Sequence, residues 1–270
     1  MRLGMNMLLW STDVTGREYN STFELLKDIG YDGVEIPIFD REVDKYAELG
    51  ERLRAIGLEP IAVSALADAT DAAGAVRANL DSAAALGASL LCGPLEAPLG
   101  VFSGAAPTDA ERAAAVQVLR EIAPYADERG VTIALEYLNR FELYLVNTAA
   151  DLADLVRAVD HPRIRMMYDT FHAHIEEKAP RAAIQACADV LVHVHLSEND
   201  RSTPGTGQVA WDETFAALRE IDYDGWVCIE AFGDALPDLA AATRIWRRMF
   251  ESEEQLARDG AAFVRAALRE

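Results

Sequence analysis

Basic residues are scarce in this chain. Its 25 lysines and arginines stand against 45 aspartates and glutamates, a formal charge of −20 over 270 residues. A surface of that sign repels nucleic acid and anionic lipid, and it disfavours a doubly charged sugar phosphate unless a local basic pocket overrides it. Cysteine is scarcer still. Cys92, Cys187 and Cys228 are odd in number and unpaired in spacing, which argues against a disulfide framework or a zinc knuckle and for a reducing, cytoplasmic compartment. No charge-free apolar run reaches the roughly 18 residues of a membrane helix. The opening MRLGMNMLLW is apolar but lacks a cleavage-site pattern, so it reads as a first strand rather than a signal peptide. No glycine-rich phosphate loop follows that strand, and no low-complexity linker divides the chain. Residues 1–270 are therefore expected to form a single domain, with half of them apolar and enough to fill a large core.

What is present is a regular alternation. Strand-like runs cover Leu3–Trp10, Gly33–Ile38, Leu58–Ala65, Ser89–Cys92, Val131–Glu136, Ile164–Asp169, Val190–His195 and Trp226–Glu230. Helix-like segments lie between them: Thr22–Ile29, Arg41–Ile56, Asp71–Leu86, Asp109–Arg129, Thr148–Val159, Pro180–Ala188 and Trp211–Ile221. A last helical stretch runs from Pro237 and is expected to break near Glu251. Gly30, Gly57, Gly87 and Gly130 stand where helices stop. Thr108 and Asn147 are the expected N-caps, and Pro124 an expected kink. Eight βα units in this length predict an α/β fold, a single (β/α)8 TIM barrel, with a doubly wound sheet as the runner-up disfavoured by the missing phosphate loop; barrel chemistry sits at the C-terminal ends of the strands.

Four consecutive strands end in Glu136, Asp169, His195 and Glu230. Three unpaired carboxylates on one rim would repel one another. A divalent cation removes that conflict, and mostly oxygen ligands with one nitrogen suit Mn²⁺, Co²⁺ or Mg²⁺ better than a structural zinc. On the residues alone a plainer reading stays open, in which acidic residues cap barrel strands and pair with nearby arginines. His193, two residues before His195 and so on the same strand face, is expected one layer deeper as a hydrogen-bonded core residue. Glu35, ending the apolar part of the second strand, is expected to point into the mouth and support the site. His174 is expected to face solvent.

Longer motifs carry a resemblance that covers essentially the whole chain: LEYLNRFE at Leu135–Glu142, MYDTFH at Met167–His172, HVHLSENDRSTPGTG at His193–Gly207, and CIEAF at Cys228–Phe232. GMNMLLWST near the start and GYDGVEIPI at Gly30–Ile38 fit the same pattern. The chain resembles the xylose-isomerase-like sugar isomerases and epimerases, and within them the ketose 3-epimerases acting on D-tagatose, D-allulose (D-psicose) and L-ribulose. The resemblance implies a xylose-isomerase-like barrel that takes a small free ketose and a divalent metal, Mn²⁺ foremost. It implies Glu136, Asp169, His195 and Glu230 as metal ligands, with Glu136 and Glu230 also the acid/base pair at C3. It implies Glu142, His172 and Arg201 as holders of the O1–O3 end of the sugar, and Phe232 as an apolar wall. A homodimer or homotetramer is expected, with Trp246 and Met249 as candidate packing or oligomer contacts.

Some positions depart from the family pattern. Asn6, Val14 and Glu96 stand where large aromatics are usual, and Gln208 and Ala210 alter the PGTG turn. The first three are expected to border the pocket for C4 to C6, although Glu96 on its own reads as an exposed loop carboxylate. The main alternative activity is an aldose–ketose isomerase using the same metal site. A multi-metal DNA-repair phosphodiesterase is disfavoured by five histidines and the acidic charge. A non-catalytic sugar-binding barrel would lose Glu136 or Glu230, and both are present.

Overall fold

The structure is a computed structural model that describes residues 1–68 and 70–269. Eight parallel strands close into a barrel in chain order: β1 (Arg2–Asn6), β2 (Gly33–Pro37), β3 (Glu59–Val63), β4 (Leu90–Gly93), β5 (Thr132–Glu136), β6 (Ile164–Asp169), β7 (Leu191–Leu196) and β8 (Trp226–Ile229). Closure runs through β1 and β8, where Leu3 lies opposite Val227 and Gly4 opposite Cys228. Helices α1 (Asn20–Ile29), α2 (Val43–Ile56), α3 (Ala72–Leu86), α4 (Asp109–Arg129) and α5 (Ala149–Val159) connect the first six strands. Then come α6 (Thr170–Glu176), α7 (Pro180–Ala186), α8 (Trp211–Glu220), α9 (Pro237–Thr243) and α10 (Glu253–Arg269).

The strands form because both of their faces are covered, so each reads as an apolar run rather than an alternation. β4 and β8 are buried along their whole length. The helices turn one stripe inward: α5 buries Leu152, Leu155, Val156 and Val159, the three-and-four spacing of a helix lying on a sheet. Thr108 opens α4 with a reciprocal capping box to Glu111, and the helix runs on through Pro124 to Arg129. Gly30, Gly57, Gly87 and Gly130 close α1 to α4 in the left-handed conformation. Gly93, ending β4, is required on two counts. Its φ is +121°, and a Cβ there would lie 2.0 Å from the Ser64 carbonyl oxygen.

Four local expectations are corrected. β1 stops at Asn6 rather than Trp10, because the Asn6 side chain accepts the Leu8 amide at 2.8 Å and turns the chain into a 3₁₀ segment, Met7–Leu9. Thr148, not Asn147, caps α5. Asn147 instead donates to the carbonyls of Leu138 and Leu143, both at 2.7 Å, and pins the loop after β5. α6 had no counterpart among the expected helices; it begins without a linker at the end of β6. Val14 is fully buried in the main core and lines none of the mouth cavities described below. Among the described residues no helix is long and apolar enough to cross a membrane.

Candidate active site

β5 to β8 deliver their terminal side chains to one place. Asp169 lies level with His195 in the β6–β7 ladder. Glu136 ends β5, and Glu230 follows β8 with its amide still bonded to the Leu196 carbonyl. The Nδ1 atom of His195 stands 3.3 Å from Glu230 Oε1, 3.8 Å from Asp169 Oδ2 and 3.9 Å from Glu136 Oε1. All four residues are buried. That Nδ1 is also buried, and it has no hydrogen-bond partner among the described residues.

The other ring nitrogen explains why. His195 Nε2 lies 2.9 and 3.1 Å from the two Glu35 oxygens. Glu35 also contacts His193 Nε2 at 2.5 Å and accepts from Asn6 Nδ2 at 2.9 Å. A carboxylate on Nε2 fixes an N–H there and turns Nδ1 toward three carboxylates. This is the arrangement of a metal-ligating imidazole backed by a carboxylate. Three oxygen donors and one nitrogen fit a hard or borderline divalent cation.

Electrostatics follow from burial and neighbours. Burial works to raise the Glu35 carboxyl, but His195 and His193 outweigh it and hold it well below the usual range. Burial pushes His193 down. It acts on His195 the same way, yet Glu35 and Glu230 prevail and carry that imidazole well above its ordinary value. Burial lifts Glu136 well above the carboxylate range, with Glu230 and Asp169 adding to the rise against the pull of His195. Glu230, opposed by burial, is held down by His195 and Arg201.

Above this layer is a cavity of about 180 Å³ whose lining includes Glu136, Glu142, His172, Arg201, Glu230 and Phe232. Asp169 and His195 lie fully buried beneath it. Leu8, Phe39, Val63 and Pro94 make its opposite wall apolar. His172 comes from the first turn of α6, and its Nδ1 accepts the Asn139 amide at 3.0 Å. Burial pushes this histidine down to about 3, so it is neutral and carries its proton on Nε2. That nitrogen lies 3.2 Å from Arg201 Nη2, and two N–H donors therefore converge beside Glu136. Arg201 Nη1 reaches Glu230 Oε2 at 2.5 Å and Asp169 Oδ2 at 3.3 Å. Its guanidinium sits 3.7 Å from the Phe171 ring centroid and 5.0 Å from that of Phe232. Glu142 accepts from Asn139 Nδ2 at 2.8 Å.

The eight expected site residues are thus gathered at one end of the barrel. Asn6 does not line this cavity; buried beneath, its amide links Glu35 to Glu230, the latter at 3.3 Å. An amide closing an otherwise apolar strand was the available signal for that role. Asn139, which orients both His172 and Glu142, went unnoticed inside the LNRFE motif. Glu96 is corrected outright. It is buried, and among the described residues neither carboxylate oxygen is hydrogen-bonded. His193 and Glu35 occupy the interior places expected of them, and His174 is exposed.

The chain matches the xylose isomerase-like TIM barrel family over residues 23–267. It is 32% identical to a probable ketose 3-epimerase of Synechocystis sp., across 98% of this chain and 96% of that one. It is 30% identical to an L-ribulose 3-epimerase of Methylomonas sp., across 98% and 97%. The chain belongs to the ketose 3-epimerase family. Its fold also superimposes on the crystal structure of a Methylomonas D-allulose 3-epimerase in complex with D-allulose, with a TM-score of 0.91 at 28% identity over 99% of this chain and 97% of that one. In this member of the ketose 3-epimerases, the carboxylates and imidazole meet at the C-terminal mouth of the barrel, the end where such folds carry their chemistry.

Proposed function

We propose that this protein epimerises free ketoses of the D-tagatose, D-fructose, D-allulose and L-ribulose type at C3. The observation that carries the reading is that one small cavity is lined by Glu136 from β5 and Glu230 from just past β8, carboxylates three strands apart. Inverting a carbon beside a ketone requires a proton to leave one face and return to the other, hence two bases flanking the sugar. With the O1–O3 end against Glu142, His172 and Arg201, C3 falls between Glu136 and Glu230. One carboxylate takes the C3 proton and the other, protonated, delivers one to the opposite face. The N–H groups of His172 and Arg201 donate to the oxygen on which the enediolate's charge builds. Phe232 and the apolar wall keep water from the reacting carbon.

Glu136, Asp169, His195 and Glu230 would hold a divalent cation, Mn²⁺ first, with Co²⁺ or Mg²⁺ as alternatives. Bound there, the ion supplies polarisation of the ketone carbonyl, which acidifies the C3 proton. The orphaned Nδ1 of His195 supports that assignment. The same reading treats residues 1–270 as one catalytic domain working in the cytoplasm as a homodimer or homotetramer. Three free, buried cysteines support a reducing compartment. Exposed Phe141 and Trp246 are candidates for subunit contacts.

The test is proton exchange. Incubation of D-fructose or D-tagatose with the Mn²⁺-loaded enzyme in D₂O should place deuterium at C3 of the product ketose, read by NMR. Deuterium at C1 together with an aldose product would instead establish an aldose–ketose isomerase.

A further inference from the structure

Arg201 makes the contacts that join Glu230, Asp169 and His172, yet its backbone is unfavourable. Its φ is +64°, in the left-handed region that a residue with a bulky side chain keeps only when its surroundings impose it. The imposing contacts come from both sides. The Arg201 amide donates to the Glu198 carbonyl at 2.9 Å, and the Arg201 carbonyl accepts the Phe232 amide at 3.0 Å.

Glu198 itself is fully buried, and its carboxylate serves no part of the cavity. Its Oε1 accepts the amides of Asn199 at 3.0 Å, Gln208 at 3.1 Å and Val209 at 3.1 Å. Its Oε2 accepts the Gly205 amide at 2.8 Å and the Trp211 indole N–H at 3.0 Å. Among the described residues no cation pairs with it; five N–H groups solvate the charge instead. The loop from Asn199 to Ala210 is thus folded around one carboxylate and tied through Trp211 to the start of α8. The wrap is tight: a Cβ on Gly207 would lie 2.7 Å from Glu198 Oε1. Arg201 is part of this loop, two residues past its first bonded amide.

We propose that Glu198 is a positioning residue for the C3 epimerisation. Its carboxylate holds the 198–211 loop in the one conformation that aims the Arg201 guanidinium at Asp169, Glu230 and His172. The inference rests on the reading of the site as a C3 epimerase. The chemistry of the group is specific. A glutamine of the same volume would turn an NH₂ toward at least two N–H donors whichever way it flips, so the loop would lose its shared acceptor. Displacing a reactive donor by about 1 Å costs on the order of a hundredfold in rate.

A double-mutant cycle on the Mn²⁺-loaded enzyme tests this, with C3 deuterium uptake in D₂O as a readout that follows slow variants over long incubations. Glu198→Gln should lower kcat/KM about a hundredfold. Arg201→Ala should lower it at least as far, and the double variant should be no slower than Arg201→Ala alone, because Glu198 acts only through that arginine. If Glu198→Gln does not fold, as read by circular dichroism, Trp211→Phe removes one of the five bonds. Its smaller, severalfold loss should likewise vanish in the Arg201→Ala background. Full activity in the Glu198 or Trp211 variant, or losses that multiply with that of Arg201→Ala, would overturn the positioning role. Wild-type enzyme that leaves C3 unlabelled would retire the epimerase reading instead.

Discussion

Glu96 behaves unlike an ordinary loop carboxylate. It sits in the loop after β4 between Leu95 and Ala97, all three buried. Burial pushes its carboxyl from an ordinary 4.5 up to about 8, while the amides of Glu96 and Leu95 offset part of the rise without reaching hydrogen-bond geometry. At neutral pH the folded chain therefore holds a proton here that the unfolded chain has released. Below pH 4.5 both states are protonated and no penalty exists. Between 4.5 and 8 the unfolded state binds fewer protons, so stability falls as pH rises, by about 1.4 kcal/mol per pH unit. The loss reaches about 3 kcal/mol at pH 7 and about 5 kcal/mol above pH 8. Glu96→Gln keeps the volume and removes the titration. Urea unfolding of both proteins at pH 5, 7 and 8.5 isolates the term, since every other group cancels in the difference. The variant should gain on the wild type steadily across that range. Stability curves that run parallel in pH would refute the argument and mean that Glu96 is solvated or paired in solution.

Other consequences are equally direct. Removing metal with a chelator should abolish turnover, and Mn²⁺ at a hundredfold excess over its Kd should restore about 2.7 kcal/mol of stability. That corresponds to about 5–10 °C in Tm by scanning fluorimetry; an unchanged Tm together with full activity in metal-free protein would contradict the site. Glu35→Gln should weaken Mn²⁺ binding about 10–100-fold by calorimetry, because it loosens the orientation of His195. Unaltered affinity would make Glu35 a packing residue. His172→Ala and Arg201→Ala should each lower kcat by about 10²–10³-fold while circular dichroism stays that of the wild type; loss of fold in both would make them structural.

The barrel was legible because strands covered on both faces leave apolar runs that little else imitates. The gathering of Glu136, Asp169, His195 and Glu230 was legible because they stand at or just past strand ends, out against those apolar runs. Other features depend on side chains that choose between equivalent local partners. Asn147 and Thr148 are both competent caps, and only the folded loop after β5 assigns the amide to Leu138 and Leu143 and the hydroxyl to α5. α6 follows β6 with no intervening turn residue, so no punctuation in the sequence separates strand from helix. GPLEAPLG has the composition of an exposed turn, and the inward course of Leu95 to Ala97 is set by tertiary packing alone.

Asp169 has a double attachment. One oxygen, Oδ1, accepts the Phe171 amide at 2.6 Å and caps α6; the other, Oδ2, faces His195 and Arg201. The helix that carries His172 is thus fastened to the same carboxylate that a cation would engage. If a cation drew charge through Oδ2, the effect would be felt at Oδ1, and the Phe171 amide would serve as a built-in reporter whose chemical shift and solvent exchange would register occupancy. The coupling would also constrain evolution: were a cation held there, replacing Asp169 to retune it would disturb the seat of His172, leaving Glu136, Glu230 and the carboxylate behind His195 as the freer positions.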